Sequence, residues 1–253
     1  QDLQESWTVI FGVIGAVVTA LGIAGFFLIR DPAVKSAENS NYFANIFYGF
    51  RPSVIRSNPA LYVTLAVLAL FNISIQIFMP YLILYYTEAL GMKDYVLIMA
   101  PAIILASVAT AFWGRVYDKK GFAFSGIIAL ISLLIGYVLL FIFKDVVMVF
   151  IGSLLMMCGY LCGMAVFGAR IRDLTPSGKA GMLQGVRIFS QVLVPGVVGP
   201  YIGKTVLKNA EIITNNDGTT SFVPNQNIFY AALVVAVIVL VVLIFTKKEK
   251  ADE

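Results

Sequence analysis

Histidine is absent from this 253-residue chain. That excludes imidazole metal sites and His-based proton relays. Cysteine occurs only at Cys158 and Cys162, four apart in one apolar run. The pair shares a helix face and reads as reduced core, not as a disulfide framework. Charged residues make up 13% of the chain, against roughly 25% in soluble domains. There is no phosphate-cradling Gly-Lys-Ser or Gly-Lys-Thr loop, which argues against ATP-driven work by the chain itself. No nucleophile stands beside a paired base, so no enzyme is read from it. No Asp or Glu falls deep inside any apolar run. An initiator Met and a basic leader are also lacking. Asp2 and Glu5 precede a first apolar run too long for a signal peptide, and the chain is expected to begin inside a longer protein.

What fills the chain is hydrocarbon. Hydrophobic residues reach 60%, and the mean hydropathy is +0.90. The apolar residues gather in long runs broken by short charged loops. A membrane crossing needs about 20 residues at 1.5 Å rise each. Seven segments qualify: 7–29, 60–87, 95–114, 121–143, 146–169, 180–203 and 227–246. Only the sixth carries a charge, Arg187. The fold class expected is an all-α membrane protein with about seven transmembrane helices.

The loop charges set an orientation. Arg30, Lys35, Arg51, Arg56, Arg115, Lys119 and Lys120 fall on one side, with Arg170, Arg172, Lys179, Lys247, Lys248 and Lys250. The other side holds Lys93, Lys144, Lys204 and Lys208. The first side is expected to be cytoplasmic, which puts Gln1 outside and the C-terminus inside a plasma membrane. This grouping also accounts for the net charge of +4 without nucleic acid as a partner. In the long loop at 30–59, Phe43, Ile46, Phe47 and Phe50 recur at helical spacing and suggest an interfacial helix or a set of aromatic anchors. The external loop at 206–226 has a turn signal in Asn215-Asn216-Asp217-Gly218.

After the third span the chain reads Gly114-Arg115-Val116-Tyr117-Asp118-Lys119-Lys120-Gly121. This resembles the cytoplasmic G-x-x-x-D-[RK]-x-G motif of the major facilitator superfamily, which follows helix two and again helix eight. Gly114, Asp118, Lys119 and Gly121 match it, and Arg115 adds to the basic set. A second stretch, Thr175-Pro176-Ser177-Gly178-Lys179-Ala180-Gly181 with Gly185 and Arg187, resembles the opening of helix eleven.

The resemblance implies a helical bundle whose seven spans are the family's helices six to twelve. Residues 1–29 would be helix six, 30–59 the central loop, 60–246 the six-helix C-terminal half and 247–253 a cytoplasmic tail. It implies secondary transport of a small solute by alternating access, with no cofactor. The coupling ion would be H⁺ or Na⁺, its carboxylate lying off this chain. The partners implied are the lipid bilayer and an N-terminal six-helix half. The chain is thus read as a fragment, or as one half of a split carrier. In the family the helix-eight motif packs on helix five, absent here, so Asp118 lacks that partner within the chain. Met79-Pro80-Tyr81 leans toward sugar or glycoside symporters of the melibiose type.

Polar groups inside the spans mark candidate chemistry. Asn72 and Gln76, four apart near the middle of the second span, are expected to bind a polar solute or to bond neighbouring helices. Pro80 is expected to kink that span. Tyr81, Tyr85 and Glu88 continue outward as an aromatic belt or an outer gate. In the sixth span Gln184, Arg187, Ser190 and Gln191 fall on one broad face. Arg187 would face a water-filled cavity and attract an anionic group, pair with an off-chain carboxylate, or snorkel to the interface.

Small residues are expected to serve packing and hinges. Gly181, Gly185, Pro195, Gly196, Gly199, Pro200 and Gly203 supply them in the sixth span, and Gly159 and Gly163 in the fifth. Tyr160 is a cavity candidate, and Ser107 and Thr110 are expected to bond their own helix. The amide set suits a neutral polyhydroxylated solute. The alternatives are an efflux antiporter of the same superfamily, a seven-helix receptor and a non-transporting remnant. A retinal-type receptor fits poorly, since the last span has no Lys for a Schiff base.

Overall fold

The computed structural model of the chain describes residues 2–28, 47–214 and 220–249. The expected residues Phe43, Ile46 and the turn at 215–218 lie outside them. The chain divides into two compact units, Gln1–Asn41 and Tyr42–Glu253.

In the first unit, α1 spans Asp2–Leu28. From Thr8 to Leu28 its side chains are exposed, Gly25 being half-buried. Its length and apolar composition suit a membrane crossing, and lipid is the solvent that such a surface requires.

The second unit opens on a one-turn 3₁₀ helix at Tyr48–Phe50 and the short α2, Pro52–Ser57. Helix α3, Pro59–Phe78, follows. Beyond it the same rod loses regularity, passing through a 3₁₀ turn at Met79–Tyr81 and a π turn at Tyr85–Ala89. Pro80 sits in that 3₁₀ turn, where its missing N–H breaks the helical ladder.

Helix α4 runs Val96–Ile142, 47 residues. Straight, it would be about 70 Å long, more than twice a hydrocarbon core of about 30 Å. It is not straight. Gly121 has φ 78° and ψ 178°, a conformation that glycine alone adopts freely. The Trp113 indole N–H donates to the Ser125 carbonyl at 3.3 Å, twelve residues away, where a straight helix would separate them by about 18 Å. The chain therefore reverses at Gly121, and 96–120 and 122–142 are separate crossings. Among the described residues six helices are long and apolar enough to span a bilayer, and the fold at Gly121 makes them seven crossings, as expected.

Helix α5 is Val146–Leu174, capped at its start by the Asp145 carboxylate on the Met148 amide at 3.0 Å. The sixth expected span is α6, Ala180–Ile188, a π turn at Phe189–Leu193 and α7, Val194–Val206. Two short strands follow, β1 (Ile212–Thr214) and β2 (Thr220–Phe222), paired antiparallel with Ile213 opposite Ser221. Helix α8, Asn227–Glu249, closes the chain.

Glycines bring the helices together. A Cβ on Gly136 would fall 2.7 Å from Met156 Cα and 2.8 Å from the Gly152 carbonyl oxygen. A Cβ on Gly159 would overlap the Leu133 backbone, and one on Gly163 would meet the Phe71 ring. The Gly-x-x-x-Gly pair in α5 thus faces two neighbours, α4 and α3. Phe71, Phe78, Tyr137, Phe167 and Phe229 fill the space around them, all at most 1% exposed.

Candidate functional site

The basic loops gather at one end of the second unit. There the cations rest on aromatic faces. Arg51 and Lys179 both lie over the Tyr48 ring, at 5.7 and 5.5 Å. Arg115 stacks on Phe112, Lys120 on Phe124 and Arg170 on Phe122. Of the motif residues, Gly114, Arg115, Asp118 and Lys119 are exposed, and Asp118 makes no hydrogen bond or ion pair among the described residues. The group that ties this loop to the rest is Tyr117, whose hydroxyl donates to the Asp173 carboxylate at 2.6 Å. Asp173 also receives Arg172 at 3.3 Å.

At the opposite end, buried hydroxyls cross-link the helices. Tyr137 and Ser74 share a hydrogen bond at 3.0 Å, and Ser74 donates to the Ala232 carbonyl. Tyr86 pairs with Ser153 at 2.6 Å, and the Tyr85 hydroxyl donates to the Leu140 carbonyl. Tyr85 is 1% exposed, so it belongs to the packed core and not to an aromatic belt. Tyr81 reaches the Pro200 carbonyl at 3.3 Å, and Glu88 is exposed.

Between these ends, α3 and the α6–α7 rod are in contact and then part. Gly199 meets the Gln76 backbone and Cβ, and Gly203 meets the Ile77 carbonyl and the Tyr81 ring. Toward the basic end they separate around a cavity of about 220 Å³. Leu61 and Leu65 of α3 and Leu183 of α6 give it apolar walls, while Arg187, Gln184 and Ser177 bring polar groups. Gly178, at φ 74°, turns the chain into α6 beside it.

The candidate residues separate by surroundings. Arg187 is half-buried, lines the cavity and places a guanidinium nitrogen beside Gly168 of α5. It has no hydrogen-bond or ion-pair partner among the described residues. Gln184 lines the same cavity and is exposed. Gln76, Gln191 and Tyr160 are half-buried, and their polar ends are likewise unpartnered among the described residues. Asn72 is buried, with its amide donating to the Leu68 carbonyl at 3.0 Å. Ser190 is buried in the π turn. Gly181, Gly185 and Gly196 are exposed, Pro80 is exposed, Pro200 is half-buried and Pro195 is buried.

Ser107 and Thr110 donate to carbonyls four residues back, at 2.8 Å each, as expected. Cys158 and Cys162 are free thiols.

The crossings thus carry basic turns at one end and, there, a cavity of mixed apolar and polar lining. A family model described as Major Facilitator Superfamily matches residues 3–200. The chain belongs to the Major Facilitator Superfamily. No curated protein and no solved structure matches it. Members of this superfamily are membrane transporters, and the seven apolar crossings make this one a multi-pass membrane protein. Sequence reasoning set Gln184 and Arg187 on one face of the sixth span, and both line this cavity; that Ser177 lines it too was not read. The helix-opening stretch 175–181 was the available signal. The tyrosine–serine pairs carried no such signal, since partners 63 and 67 residues apart share no local pattern.

Proposed function

We propose that the chain is the C-terminal half, with one preceding helix, of a secondary carrier that moves a small polar solute by alternating access. The observation that carries this reading is the cavity between α3 and α6 in a superfamily of transporters, with Arg187 unpartnered at its wall. A polar group held half-buried without a partner costs free energy, and a transient ligand is a reason for the cost to be tolerated. The solute contacts proposed are Gln76, Tyr160, Arg187 and Gln191. Asn72 and Ser190 are buried in this conformation, Asn72 with its amide on the Leu68 carbonyl of its own helix, and stand outside that contact set.

In this reading the basic end is cytoplasmic, in keeping with the charge distribution, and the membrane is the plasma membrane. Helices one to five, which with α1 as helix six make the N-terminal half, supply the opposite wall of the path and the carboxylate for the coupling ion, H⁺ or Na⁺. Residues 30–59 serve as the linker between halves. Asp118 and the loop at 114–121 meet that half and control closure at the cytoplasmic side. A hydroxyl-rich solute such as a sugar or glycoside suits the amides, which both donate and accept, and uptake by symport suits such a cargo.

The test is uptake of a panel of labelled sugars and glycosides into cells expressing the protein as it is encoded. Saturable uptake of at least one of them, with KM raised several-fold by Gln76→Ala or Gln191→Ala at unchanged membrane insertion, is the expected result. Absence of uptake across the panel, with export of apolar cations instead, would replace this reading with the antiporter.

A further inference from the structure

The cavity at the basic end has a chemistry of its own. Leu61 and Leu65 of α3 and Leu183 of α6 give it an apolar side, while Arg172, Ser177 and Gln184 in its lining are exposed. Into this space the sequence puts Arg187, the one charged residue of the sixth span. Arg187 does not extend to an acid: no hydrogen bond or ion pair involves it among the described residues. A guanidinium nitrogen of Arg187 lies beside Gly168 of α5. Arg172 lines the same cavity, but its Nε and Nη2 both donate to the Asp173 carboxylate, at 3.4 and 3.3 Å. Thr175 gives its hydroxyl proton to the Ile171 carbonyl at 2.6 Å, so its oxygen can only accept. Ser177 and Gln184 have no partner among the described residues and can donate.

The sum is one guanidinium, Arg187, without a counter-charge among the described residues, a second, Arg172, held by Asp173, and two neutral donors, around about 220 Å³. A neutral sugar would leave Arg187 without a counter-charge. A planar carboxylate or a phosphoryl group would accept from it in a bidentate pair.

We propose that this cavity is a binding site for an anionic group, carboxylate or phosphoryl, entering at the basic end, with Arg187 as its principal donor. The group belongs either to the transported solute or to a free anion that occupies the site between transport steps. The physiological meaning rests on the carrier reading above, but the binding itself does not.

The experiment uses the purified full chain in nanodiscs of phosphatidylcholine, at low ionic strength, with calorimetric titration of sodium glucuronate, sodium phosphate and glucose. Glucuronate or phosphate should bind and glucose should not. Arg187→Gln should weaken binding at least tenfold, while Arg187→Lys should retain part of it. Glucuronate binding more than tenfold tighter than phosphate assigns the anion to the solute. Comparable or tighter phosphate binding assigns it to a free anion. Binding of neither anion, or binding unchanged in Arg187→Gln, overturns the proposal.

Should that variant fail to fold, phenylglyoxal modification of the wild-type chain replaces it, read by peptide mass spectrometry. Phosphate or glucuronate should slow modification of Arg187 at least threefold without protecting Arg115. Equal rates with and without anion would overturn the site. Anion binding without cellular uptake would remove the carrier reading and leave the site. Uptake of neutral sugars by a chain that binds no anion would do the reverse.

Discussion

Single residues in this protein are constrained most where a helix backbone touches another. Gly136 packs on the Met156 backbone so closely that a methyl group has nowhere to go. Gly136→Ala should therefore destabilise the bundle by about 1–3 kcal/mol through overpacking, read as a fall in the thermal midpoint in detergent. Gly196→Ala, at a position with open space around it, should leave the midpoint unchanged and serves as the control. Tyr137 is a different case, because it is fully buried and bonded to Ser74. Tyr137→Phe should cost about 1 kcal/mol, no more, since Ser74 keeps its bond to the Ala232 carbonyl. Denaturation of the two proteins side by side measures this difference. At this scale the sequence was partly legible. Gly159 and Gly163 could be read as a contact pair from their spacing, because small-residue periodicity along one helix is local information. That one meets Leu133 and the other Phe71 depends on which helices are neighbours, which spacing does not encode. Tyr85 looked like an interfacial tyrosine by position along its rod, yet its hydroxyl is satisfied by the Leu140 carbonyl inside the bundle.

Among the elements, the long helices were legible, with the starts of α5, α6 and α8 matched and their spans ending three to five residues early. Runs of apolar residues of bilayer length can satisfy their backbone only as helices. The expected segments at 146–169 and 227–246 accordingly lie within Val146–Leu174 and Asn227–Glu249. Departures from regular helix were less visible. Pro80 announced the break after α3, but the π turns at Tyr85–Ala89 and Phe189–Leu193 contain no residue that demands them. They arise from packing, and such turns concentrate near functional sites. The short β-hairpin was hidden for the same reason, since three-residue strands carry too little alternation to register. Gly121 is the element-scale feature with the sharpest consequence. Its φ of 78° with ψ of 178° reverses the chain between two crossings. Gly121→Ala should cost about 1–3 kcal/mol of backbone strain, lowering the thermal midpoint. The same substitution at Gly114, which has helical neighbours and open space, should not.

At the scale of the whole second unit, the arrangement is asymmetric along the axis of the helices. One end is cross-linked by tyrosines and serines and by the contact of α3 with α7. The other holds the cavity, the unpartnered Arg187 and the basic turns. These two ends are expected to lie on opposite sides of a bilayer, with the basic end in the cytoplasm. Single cysteines introduced into a Cys158→Ala, Cys162→Ala background test it directly, using a membrane-impermeant maleimide on intact cells and on inside-out vesicles. Asp118→Cys, in the basic turn, should be labelled in the vesicles and protected in cells. Lys93→Cys, in the turn after the π segment, should be labelled in cells and protected in the vesicles. Labelling of both positions from the same side would contradict the account.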